Sequence, residues 1–127
     1  MPKKGAAQQL EMATQHLDRV QTAAWDPIDW TDLSLYGFYC LECAVMAAAT
    51  HVGWTTKRTH PAKAEAAAKL HQEFGLPDVR DLLWTLNSAR KATAYGDVEL
   101  PELDAEEVSI EVEEYVIAVT ALLEKGP

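Results

Sequence analysis

Arg90 and Tyr95 stand five residues apart in "LNSARKATAYGD", residues 86–97, and they are the first pair able to do chemistry. An arginine is a permanent cation with five N–H donors, suited to holding a phosphate or steadying negative charge as it develops. A tyrosine is a weak candidate for proton transfer near neutral pH, because a phenol ordinarily titrates at about 10. Glu42 is the only formal charge between Asp32 and Lys57, so it is the acid available to a buried cation. His60, in "KRTHP", is an imidazole in a loop just ahead of a helix, with no activating neighbour in the sequence. Cys40 and Cys43 form "CLEC", which has the spacing of half a zinc knuckle. No second cysteine or histidine pair matches it, so two helical thiols are expected rather than a metal site, and no cofactor is expected.

Apolar periodicity predicts helices almost throughout. Helix one spans about 6–24, with Leu10, Ala13, Leu17, Val20 and Ala24 at spacings of three and four. "WDPIDW" is a turn, because Pro27 lacks an N–H and disfavours helix at Asp26. Helix two starts near Thr31 or Asp32 and runs to His51, with Gly53 past its end. Pro61 suits the first position of helix three, which Gly75 closes. Pro77 opens helix four, which ends at Gly96, and "DVELPEL" connects to the last helix. Asp104 with Glu107 reads as a capping box for helix five, about 105–124. Val108, Ile110 and Val112 alternate as a strand would, but Val108, Val112, Tyr115, Val119 and Leu122 keep helical spacing, and nothing else in the chain would pair with a strand. The expected architecture is all-α, a compact up-and-down bundle of about five helices in one domain over 1–127, with loose ends at 1–5 and 125–127.

Helix four carries the chemistry. Val79, Leu83 and Leu86 step along one stripe, and the next step of four lands on Arg90. A buried unpaired cation costs several kcal/mol even after relaxation. Arg90 therefore meets Glu42 across the core or at its edge, or carries its head to water past the helix end. Tyr95 lies roughly 140° around the helix from Arg90 and instead continues Trp84, Ser88 and Lys91. That mixed aromatic, polar and basic stripe is either a half-exposed face or a contact surface for a dimer or another partner.

The charge balance limits the partners. The formal net charge is −9, and residues 97–127 hold only Lys125 against ten acidic residues. Seven of the basic residues fall between 54 and 96, so only that third suits a polyanion, and DNA binding is not expected. "MPKKGAAQQL" has no apolar stretch after its basic start, so no signal peptide is expected. Residues 33–54 approach membrane-span length, but Glu42 and His51 interrupt them. A buried central helix is the expectation, with a cytoplasmic location and no membrane contact.

"LYGFYCLECAVMAAATHVGW", then "RTH", then "LWTLNSARKATAYGD", then "YVIAVTALLE" resembles the HEPN family of small bacterial and archaeal proteins, over residues 33–124. Tyr39, Gly53, Thr59 and His60 match its helix-two and helix-three landmarks, and Arg90, Ala94 and Tyr95 match its arginine segment. The resemblance implies a HEPN-like bundle that forms a homodimer, with both arginine segments near the interface. Many members are metal-independent ribonucleases of toxin–antitoxin or defence systems, and carry a histidine after the arginine. Here Tyr95 stands in that place and Ala94 where relatives often have Asp. Other members accompany a minimal nucleotidyltransferase. The first expectation is thus a dimeric binding or scaffold protein of such a pair. The second is an endoribonuclease toxin using Arg90, with Tyr95 or His60 moving the proton and RNA or a nucleotide as ligand. The third is a structural bundle without a site.

Overall fold

The computed structural model describes residues 4–95 and 103–125, the side chains of Lys4 and Tyr95 excepted. It is an all-α, up-and-down bundle of α1 (Lys4–Ala23), α2 (Trp30–His51), α3 (His60–Phe74), α4 (Arg80–Tyr95) and α5 (Ala105–Glu124). α1 begins at Lys4, inside the stretch 1–5 expected as a loose end. Gly96 and most of the following connector, including Pro101, lie outside the described residues.

α2 is the centre of the bundle and packs against each of the other four helices. Its Ala44, Ala47, Ala48 and Ala49 are fully buried, and side chains this small let neighbouring backbones approach closely. A Cβ placed on Gly37 would lie 3.3 Å from Leu86 Cδ1, which measures how tightly α4 crosses α2 there. α2 has the length and mean hydropathy of a membrane span, but most of its apolar window is buried inside the bundle.

The helix starts show which polar side chain satisfies the first free N–H groups. α2 begins one residue earlier than Thr31, because Asp29 is the cap and accepts from the Asp32 N–H at 3.0 Å. α3 begins at His60 rather than Pro61, because Thr59 caps the Ala62 N–H at 3.2 Å. α4 begins at Arg80 rather than Pro77, since Asp78 accepts from the Arg80 N–H at 3.2 Å. Asp104 caps α5 through the Glu107 N–H at 3.0 Å, as the sequence predicts. Gly75 closes α3 at φ 73°, a left-handed conformation that glycine adopts without a Cβ clash.

Most positions of the predicted stripes are buried, while Leu10, Leu17, Ala24 and Leu122 are half-buried. Ala13 and Val20 of α1, Val79 just ahead of α4 with Leu83 and Leu86 of α4, and Val108, Val112, Tyr115 and Val119 of α5 are all buried. Each large aliphatic side chain so buried contributes about 1.5–3 kcal/mol. The stripe on α4 breaks where expected: Arg90 is half-buried at its end.

Candidate functional site

Glu42 sits mid-way along α2 and is only 5% exposed. Its two oxygens are taken by two residues of α3. Oε2 lies 2.7 Å from His60 Nδ1, and Oε1 accepts from Lys63 Nζ at 3.4 Å. The loop after α2 returns the chain so that the first turn of α3 covers Glu42. His60 and Lys63 are three residues apart and therefore share one face of that turn. A carboxylate accepts only, so the near nitrogen of His60 donates to it; whenever the ring is neutral, Nε2 is then its acceptor. The His60 side chain is 49% exposed, against 6% for Glu42.

This corrects the expected pairing of Glu42 with Arg90. The arginine reaches α2 one turn earlier, at Phe38. Its Cζ lies 5.3 Å from the Phe38 ring centroid, within cation–π range. Nη2 donates to Asn87 Oδ1 at 2.7 Å, and Nε is buried with no acceptor among the described residues. Arg90 therefore neither pairs with the buried acid nor extends freely into water. The Phe38 ring also meets His60, edge-on, with centroids 5.0 Å apart. Imidazole and guanidinium thus lie against one aromatic ring, and Glu42 follows Phe38 by one turn of α2.

Two hollows flank the Glu42–His60 pair. One is an open groove of ≈ 900 Å³ between α3 and α4, whose walls include Phe38, Ala64, Leu83, Trp84 and Asn87. The other, of ≈ 350 Å³, lies between α1, α2 and the start of α3 and includes His16, Tyr39, Cys43, Arg58 and Lys63. Trp84 stands 72% exposed at the groove, while Ser88 is half-buried and Lys91 exposed along the same stripe. Tyr95 ends α4, but its side chain lies outside what the structure describes.

The thiols are separated by environment. Burial, with a smaller push from Cys43, raises Cys40 to about 12, and its Sγ donates to the Ala13 carbonyl at 3.1 Å. Cys43 is half-buried and also raised, mainly by burial. Among the described residues no three His, Cys, Asp or Glu side chains converge as metal ligands would.

His60 is the residue whose setting the sequence left unread. The signal was present: two basic groups three apart at a helix start follow the one isolated acid of the preceding helix. Comparison with protein families, with curated proteins and with solved structures returns no match.

Proposed function

We propose that this chain is a HEPN-type domain that works on RNA as a metal-independent endoribonuclease, with Glu42, His60 and Arg90 as its machinery. One observation carries the reading: an exposed imidazole oriented by a buried carboxylate, with a guanidinium on the same aromatic ring. His60 supplies the imidazole that the segment after Arg90 lacks. Nε2 of His60 takes the proton from a ribose 2′-hydroxyl. The 2′-oxygen attacks the adjacent phosphorus, and the bond to the 5′-oxygen of the next nucleotide breaks. That oxygen takes a proton back, leaving a 2′,3′-cyclic phosphate and a 5′-hydroxyl. Arg90 offsets the extra negative charge on the phosphorane. Glu42 fixes the tautomer of His60 and steadies the imidazolium formed in the first step.

The proposed assembly is a homodimer across the α3–α4 groove. Trp84 is its anchor, because a large, exposed aromatic at the groove fits the composition of interface centres. A second reading is a binding protein paired with a minimal nucleotidyltransferase. The restraint of Arg90 by Asn87 and Phe38 favours it, since a cation held by its own subunit is less free to engage a substrate.

A mixed RNA pool incubated with the purified protein in EDTA tests the two. The nuclease reading expects fragments with cyclic phosphate ends, lost in both His60→Ala and Arg90→Ala while the far-ultraviolet dichroism stays unchanged. RNA left intact at high protein concentration overturns it. Growth arrest on expression, abolished by Arg90→Ala, supports the first reading over the second.

A further inference from the structure

The ≈ 350 Å³ hollow on the α1 side of the Glu42–His60 pair has a composition of its own. Its cationic side is the start of α3. Arg58 is exposed there and forms no ion pair among the described residues. His60 and Lys63 stand next to it, at the positive end of the α3 dipole. The one acid in the wall, Glu42, is nearly inaccessible and engaged by both His60 and Lys63, so the free charge facing the hollow is Arg58.

The opposite wall is aromatic and thioether. Tyr39 and Met12 are exposed at 36% and 45%, and Cys43 and Met46 join them in the lining. The His16 ring lies 6.2 Å from that of Tyr39 and 5.7 Å from that of Tyr36. Burial and the nearby Arg19 push His16 below its ordinary range, so at neutral pH it joins this wall as an uncharged ring. A cation on one side and a flat, polarisable wall on the other is the combination that holds a base and a phosphate together.

We infer that this hollow seats a single nucleotide, its base against Tyr39 and His16 and its phosphate on Arg58 at the start of α3. That an RNA lying over His60 would place one of its nucleotides here rests on the reading above; the binding of a nucleotide does not. The hollow shares Glu42 and His60 with the groove on the Arg90 side but is completed by α1 and Arg58 instead of α4, and it assigns roles to Arg58, Tyr39 and His16.

Calorimetric titration of the full chain with adenosine 3′-monophosphate tests this, with adenosine and inorganic phosphate as separate arms. The expected result is saturable nucleotide binding at least about tenfold tighter than either fragment, weakened about tenfold by Arg58→Ala. Tyr39→Ala weakens it as well, Tyr39→Phe preserves it, and Trp84→Ala leaves it unchanged. A short single-stranded RNA with the same 3′-terminal nucleotide competes if the hollow receives a chain end, and fails to compete if it takes only the free nucleotide. Equal affinity for inorganic phosphate, or no response to Arg58→Ala, overturns the proposal. Cleavage that survives in an Arg58→Ala, Tyr39→Ala protein with no change in nucleotide affinity sinks this site and leaves the nuclease reading standing. Nucleotide binding by a protein that cleaves nothing does the reverse.

Discussion

Nδ1 of His60 lies 2.7 Å from Oε2 of Glu42, joining the first residue of α3 to the middle of α2 across 18 positions of sequence. Glu42 is the buried member and His60 the exposed one, so the two should fail differently when changed. Glu42→Ala leaves Lys63, whose side chain is 18% exposed, without its acid, and should cost about 2 kcal/mol of stability, read as a lower urea midpoint. His60→Ala should cost less than about 1 kcal/mol, since half of its side chain already faces water. The cleavage assay should show the opposite weighting, with loss on the order of 10²-fold or more for His60→Ala. A larger stability loss for His60→Ala than for Glu42→Ala would contradict the arrangement.

Trp84→Ala should leave the helical content and thermal midpoint almost unchanged, because the side chain is 72% exposed. It should convert the protein in solution from twice 14.0 kDa to 14.0 kDa if the groove is the dimer interface. Sedimentation equilibrium of both proteins at equal concentration decides it. A wild-type protein of 14.0 kDa at high concentration removes the interface altogether.

Tyr115→Phe should stabilise the fold by about 1 kcal/mol or leave it unchanged. The Tyr115 ring is fully buried in α5, and its hydroxyl has no hydrogen-bond partner among the described residues. Burial alone pushes that hydroxyl well above the usual tyrosine range. Chemical denaturation at pH 7 checks the sign, and a loss of more than about 1 kcal/mol would reveal a hidden acceptor.

Alkali should unfold the protein, and Cys40 should carry part of the effect. Its thiol is raised from the ordinary 9.0 to about 12 in the fold. In the unfolded chain it ionises first, so the unfolded state holds fewer protons as pH rises through that window. Stability is therefore whole below pH 9 and falls between 9 and 12, at up to about 1.4 kcal/mol per unit from this group. Cys40→Ala should flatten the curve of urea midpoint against pH in that range, while the raised Tyr115 keeps a residual slope of the same sign. An unchanged slope would mean that the thiol titrates normally.

Much of this was legible in the residues. The five helices, the buried stripes of α4 and α5, and the Asp104 cap follow from spacing and composition. Arg90 was legible as a charge at the end of an apolar stripe, and Glu42 as the one formal charge between Asp32 and Lys57. Their partners were not. Helical periodicity says which side of a helix a residue occupies, but not how far a neighbouring helix is slid along it. A slide of one turn takes Arg90 from Glu42 to Phe38. Likewise, the return of the loop ahead of Thr59 decides that His60 lands on Glu42, and no periodicity encodes a loop path. Proline placed two helix starts slightly wrong, because the short polar residues Thr59 and Asp78 set the boundary at α3 and α4.

α2 is gripped by four helices, whereas among the described residues α3 packs against α2 and α4 alone. The consequence is mechanical. The site has a stiff half, Phe38 and Glu42, and a compliant half, His60, Lys63 and the approach from Arg58. Whatever enters either hollow will find its adjustment in the first turn of α3, and amide exchange should mark that helix as opening before α2 does. The imidazole sits on the compliant half and its orienting acid on the stiff one, so the ring has a fixed reference against which to move.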